Sequence, residues 1–395
     1  IFNRGGIKVT GDFIANKAVT SGGAVYNTST TNLIDSSFIG NIAPEGAAIY
    51  NNYDRTQVSA ETKDIEFTNN NTTGTAEGTG YGIYNKAILN LYANEDKTIT
   101  VNDKVYSTGR LDIGYAYWGN KFGDGTVKFN NELTQTGETN VSSGTVEFNG
   151  ETSLGALNLT RTATLKLGTA AGNSTFGSVI FQNTPTLDLT NNSAQTLNVT
   201  SLKGNTKLNI DLDFTGENIS ADAINVTTGG QTSVLTLNSL NIIGTLSEFS
   251  NLEILKGSTS NVTLAIATDL FNAYAGEEIE SVTQTINESE DYDSAAFGQF
   301  ANDEFTNTVY AHSTQTQLYL NAEKTALSYG TVETVAEHIK TQVKQDVLQA
   351  LNQKTTTASS IAQLQRKSKK MRKKIKKYIL IFRKKCYLEQ NVLSR

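Results

Sequence analysis

The sequence predicts an all-β chain wound as a right-handed parallel β-helix, with a short C-terminal helix and a basic tail, disordered or aberrant, beyond it. Three observations carry this. Two short motifs repeat in register about every 24 residues. Only 2 prolines occur in 395 residues, as suits a chain made mostly of paired strands, where proline removes a ladder donor. The hydrophobic share is 37% and the charged share 18%, too little for several thick cores but enough for a thin one between stacked strands.

The first motif is Ile1-Phe2-Asn3, recurring as Val25-Tyr26-Asn27, Ile49-Tyr50-Asn51 and Ile83-Tyr84-Asn85, with small residues before the last three: Gly22-Gly23-Ala24, Gly46-Ala47-Ala48 and Gly80-Tyr81-Gly82. The second runs in phase with it: Phe13-Ile14-Ala15-Asn16, Phe38-Ile39-Gly40-Asn41 and Phe67-Thr68-Asn69-Asn70. A period in the low twenties fits three strands of ~5 residues plus turns. The aromatic and aliphatic members are expected to stack inside the coil. The asparagines are expected to bond from turn to turn as ladders, and the glycines to permit tight backbone. Phe13, Asn16, Gly22, Gly23, Tyr26, Asn27, Phe38, Asn41, Tyr50, Asn51, Phe67, Asn70, Tyr84 and Asn85 are therefore assigned structural roles.

These residues resemble the paired Gly-Gly-Ala and Phe-x-x-Asn repeats of chlamydial polymorphic membrane proteins. More broadly, they resemble the passenger domains of type V autotransporters. The resemblance covers residues 1–90. It implies an adhesin at the bacterial outer-membrane surface or secreted from it. Its partner would be a receptor or glycan on a host or neighbouring cell. Its anchor would be a translocator barrel of about twelve strands, for which no alternating segments follow residue 330.

Beyond the clear repeats, residues 91–330 read as degenerate coils. Thr126-Val127-Lys128-Phe129 and Thr145-Val146-Glu147-Phe148 show the period-2 alternation of half-buried strands. Coiling throughout residues 1–320 would give roughly 13–16 turns and a rod of about 60–75 Å. The apolar residues of 331–351 fall at helical spacing, so 331–365 reads as a cap or linker. Residues 366–385 hold twelve Lys or Arg and no acid, and 366–395 reads as a basic tail: a membrane-surface helix, a nucleic-acid arm or, the favoured reading, the product of a slipped reading frame. Without residues 366–385 the chain holds 21 basic against 39 acidic residues, which excludes nucleic acid as a partner of the main body. The first residues already lie inside a repeat, which reads as a fragment separated from its targeting segment.

No catalytic, metal or cofactor constellation emerges. His312 and His338 stand apart from other ligands, and Cys386 is alone. Asp211 and Asp213 alternate on one strand at a spacing that glycosidases use, so a β-helix carbohydrate-active enzyme is the alternative function. With Leu212 and Phe214 inward, both acids are expected to face water. The acidic run Glu277, Glu278, Glu280, Glu288, Glu290, Asp291 and Asp293 reads as a solvated loop. Trp118, in Tyr115-Ala116-Tyr117-Trp118, reads as core filler, with a sugar-stacking platform as the sharper alternative.

Overall fold

In a computed structural model of the protein, residues 1–72, 80–171, 174–229, 231–274 and 316–331 are described. The helix expected at 331–351, the basic tail, both histidines and the acidic run lie outside them. The described chain is a parallel β-helix with three sheets per coil. The first sheet stacks Phe2–Asn3, Val25–Asn27, Ile49–Asn51, Ile83–Asn85 and Val105–Ser107, all parallel. The second stacks Ile7–Thr10, Thr31–Ile34, Arg55–Ala60, Ile88–Ala93 and Arg110–Ile113. The third stacks Phe13–Ile14, Phe38–Ile39, Ile65–Thr68, Thr98–Val101 and Thr126–Phe129. The register places like on like, Tyr26 beside Tyr50 and Asn27 beside Asn51. The motif spacing is thus the length of one coil.

Further along, the first two sides of a coil merge into one bent strand, as in Leu133–Val141 and Thr152–Thr160. Thr196–Asp213 then contributes to all three sides. The strand Ile88–Ala93 crosses residue 90, so the coils pass that expected boundary without a break. Among the described residues, the last parallel strand is Val262–Ile266, which completes an eleventh coil. Ten steps of ~4.8 Å make about 48 Å, shorter than the sequence suggested. Two causes are visible. Several coils exceed the 24-residue motif: Tyr50 pairs with Tyr84, and Ile224 with Leu255. The expected coils also do not continue to 330, because Thr316–Leu320 and Ala326–Thr331 form an antiparallel sheet with Phe249–Glu253.

The core is a set of columns along the axis. Val25, Ile49, Ile83 and Val105 form one, Leu33, Val58, Leu91 and Ile113 a second, and Phe38, Phe67, Val101 and Phe129 a third, all essentially inaccessible. Phe13, Phe38 and Phe67 stack at 5.0 and 4.5 Å. The tyrosines correct the expectation that all aromatics lie inside. Val25 and Asn27 both point inward, so the pleat sends Tyr26 outward. Phe2, Tyr26, Tyr50, Tyr84 and Tyr106 therefore build a stack on the outer face of the first sheet, with ring centroids 5.1–5.4 Å apart.

Candidate functional site

Except for the exposed Asn16, the repeat asparagines are buried polar groups, and each stays inside by bonding to its neighbours in the stack. Asn3 Nδ2 donates to Asn27 Oδ1 at 2.9 Å, Asn27 to Asn51 at 2.9 Å, Asn51 to Asn85 at 2.7 Å, and Asn85 to Ser107 Oγ at 2.8 Å. A second ladder runs from Asn16 through Asn41 (2.9 Å) and Asn70 (2.7 Å) to the Asp103 carboxylate (2.5 Å). Burial pushes the Asp103 carboxyl upward, opposed by the amide bonds from Asn70. Gly22 and Gly46 hold positive φ at the turn before the first sheet, where a side chain would meet the backbone of Val25 and Ile49 respectively. Gly23 lies against the carbonyl of Ala47 in the next coil. All these side chains and glycines are occupied in building the rod.

On the outer tyrosine stack, Lys86 Nζ sits 5.1 and 4.8 Å from the ring centroids of Tyr50 and Tyr84 and donates to the Tyr50 hydroxyl at 2.7 Å. That bond holds the Lys86 ammonium above its ordinary pKa, against the pull of partial burial.

A hairpin leaves the coil between the second and third sheets. Tyr115 pairs with Phe122 and Ala116 with Lys121, antiparallel. Gly119 and Asn120 take positive φ in the connecting turn. The hairpin folds back over the outer face of the second sheet. Gln57 Oε1 accepts from the backbone N–H of Tyr117 at 2.7 Å and of Trp118 at 3.3 Å. The guanidinium of Arg55 lies 4.2 Å from the Tyr117 ring centroid, and that of Arg161 3.9 Å from Phe122. Tyr117 is 50% exposed and Trp118 is half-buried, at the tip of the hairpin rather than in the core, where the filler reading had put it. The sequence signal was present: a Gly-Asn pair flanked by aromatics marks a hairpin.

Asp211 and Asp213 do not form a solvent-facing pair. Asp211 is fully buried. Its carboxylate accepts from the backbone N–H of Asn191 (2.8 Å) and Ser193 (3.1 Å) and from Asn241 Nδ2 (2.5 Å). Asp213 instead accepts from the Thr215 N–H and hydroxyl at the surface, and these bonds hold its pKa below the ordinary value. Strand alternation correctly turned Asp211 away from the core, but the turn at 190–195 covers it. Asp222, also fully buried, accepts from the N–H of Gln195 at 2.9 Å and of Asp211 at 2.7 Å. Burial first, then the charges of Asp211 and Asp188, push the Asp222 carboxyl up to about 7. The buried Asp188 accepts from the N–H (3.2 Å) and hydroxyl (2.6 Å) of Thr190 and faces Lys166 at 3.8 Å. Of these acids, Asp211 and Asp222 spend bonds on backbone amides of the covering turn, so they fasten it to the coil rather than line an open groove. Among the described residues, no group of His, Cys, Asp or Glu is placed to hold a metal ion.

No protein-family model, curated protein or solved structure matches the chain.

Proposed function

We propose that the chain is an extracellular passenger of the autotransporter type, a non-catalytic adhesin presented at a bacterial outer-membrane surface or released from it. One observation carries this reading: the repeat residues that give the resemblance are spent on the ladders of a long parallel β-helix. What the rod then offers to its surroundings is its outer faces. Repeated weak contacts from many copies give firm attachment without any single tight site. The burial of Asp211 weighs against the carbohydrate-active alternative, because an acid shielded by a turn and bonded to two backbone amides is not free to work as a general acid or nucleophile.

The test is retention under flow. Beads coated with the full chain are passed over cultured cell monolayers and immobilised glycans, beside beads coated with an unrelated β-helix. Retention should exceed the control at least about a hundredfold through avidity. Retention equal to the control, or release of reducing ends from a polysaccharide panel by the purified chain, would overturn the proposal.

A further inference from the structure

The tip of the hairpin is fixed on the outer face of the second sheet by hydrogen bonds and ring contacts. Gln57 is 1% exposed, and its side-chain amide donates to Ser59 Oγ at 2.7 Å while its oxygen holds the Tyr117 and Trp118 amides. The two rings meet edge to face at 5.4 Å, so the exposed Tyr117 ring is held in place before anything binds. Beneath it, Arg55 is held by Asn90 Oδ1 at 2.5 Å and lies 3.7 Å from Asp112 Oδ2. The same oxygen accepts from Arg110 Nη2 at 2.9 Å, and the other Asp112 oxygen accepts from Asn140 at 3.0 Å. Two guanidinium groups thus share the Asp112 carboxylate, with Asp54 a further acid acting on Arg55. It is Arg110 that reaches solvent, with 40% of its side chain exposed against 11% for Arg55. At the far side of the tip, Tyr115 donates to the exposed Asn120 at 2.9 Å, which adds hydrogen-bonding groups.

We propose that this platform binds a sugar carrying a carboxylate. The Tyr117 ring receives a sugar face, and the Arg110 guanidinium receives the carboxylate. Aromatic rings suit the apolar C–H faces of pyranoses, and a planar guanidinium suits a carboxylate. The inference rests on the adhesin reading and gives it one ligand class.

Trp118 is the only tryptophan of the chain, so its fluorescence reports on the tip. The full chain is titrated with sialyllactose, a hyaluronan tetrasaccharide and neutral lactose, followed by Trp118 emission and by calorimetry. At least one acidic sugar should bind saturably, about tenfold or more tighter than lactose. Arg110→Gln should bring its affinity down to that of lactose. Tyr117→Ala should weaken both sugars about tenfold. Both residues lie at the surface, and an unchanged unfolding midpoint will show that the rod is intact. Three results would overturn the inference: neither acidic sugar binds, lactose binds as tightly, or both substitutions leave binding unchanged. Beads that still adhere in any of these cases keep the adhesin reading and lose only this ligand. Beads that never adhere fail the reading itself.

Discussion

At the scale of single residues, the protein keeps amides in its interior, and the cost of doing so is set by their bonds. Asn51 accepts from Asn27 Nδ2 and the Thr56 hydroxyl, and donates to Asn85 Oδ1 and the Ile88 carbonyl. Asn51→Ala strands several buried groups at once and should cost about 3 kcal/mol, read from urea unfolding. A loss within experimental error would mean the ladder is ornamental. Asp222 gives a second test. Its carboxyl, ordinarily near 3.8, is pushed up to about 7, so the folded chain holds this proton more tightly than the unfolded one. Its contribution to stability is therefore greatest in acid, falls as pH rises from about 4 to about 7, and is flat above that. Asp12 and Asp213, whose bonds lower their pKa, oppose this trend. The measurement is thus the difference between the wild type and Asp222→Asn across that window, expected to be of order a few kcal/mol. The asparagines were legible because they recur in phase. Asp211 and Asp222 were not, because their burial depends on a turn from another coil that no local pattern announces.

At the scale of elements, the corner between the first and second sheets is made by a column of small residues. Ala87, Gly109, Gly137, Gly155 and Gly177 lie on successive coils, and a side chain on Gly109, Gly137 or Gly177 would collide with the carbonyl of the residue one coil before it. Gly137→Ala should therefore lose about 2–3 kcal/mol by forcing the stacked backbones apart, although alanine normally suits strands better than glycine. Gain of stability in a thermal melt would contradict the crowding. The spacing of this column is uneven, which hid it in the sequence. The strands themselves were legible, since Thr145–Phe148 and Thr164–Leu167 alternate cleanly and are buried as they alternate. The hairpin was missed because its aromatic run was read as filler rather than as two short strands around a turn.

At the scale of the whole described rod, each coil touches only its neighbours, so stability is a sum of adjacent terms and the outermost coil has one neighbour fewer. Ile7–Thr10 is partly exposed, whereas Leu89, Leu91 and Leu157 are sealed. Hydrogen exchange should be fastest at Ile7–Thr10 and slowest around Ile88–Ala93 and Thr152–Thr160, with uniform protection counting against independent coils. The architecture was legible from the repeats, but the end of the coils was not, because strand alternation reads the same whether the strands pair in parallel or, as at Ala326–Thr331, antiparallel. The inner ladders carry one more consequence. In both, the bond from one ladder side chain to the next runs towards the coil that follows in the chain, while Asn41 and Asn70 also turn a second hydrogen back to the Phe13 and Phe38 carbonyls; in the second ladder the Asp103 carboxylate accepts at the far end. A ladder with a sense is an arrow. Along the asparagine column the two sides of a coil are then complementary rather than alike, each side-chain oxygen facing the coil before it and an amide hydrogen facing the coil after it. A chain laid down in order meets, at each turn, a finished surface already keyed to the next asparagine and to no inverted copy of it.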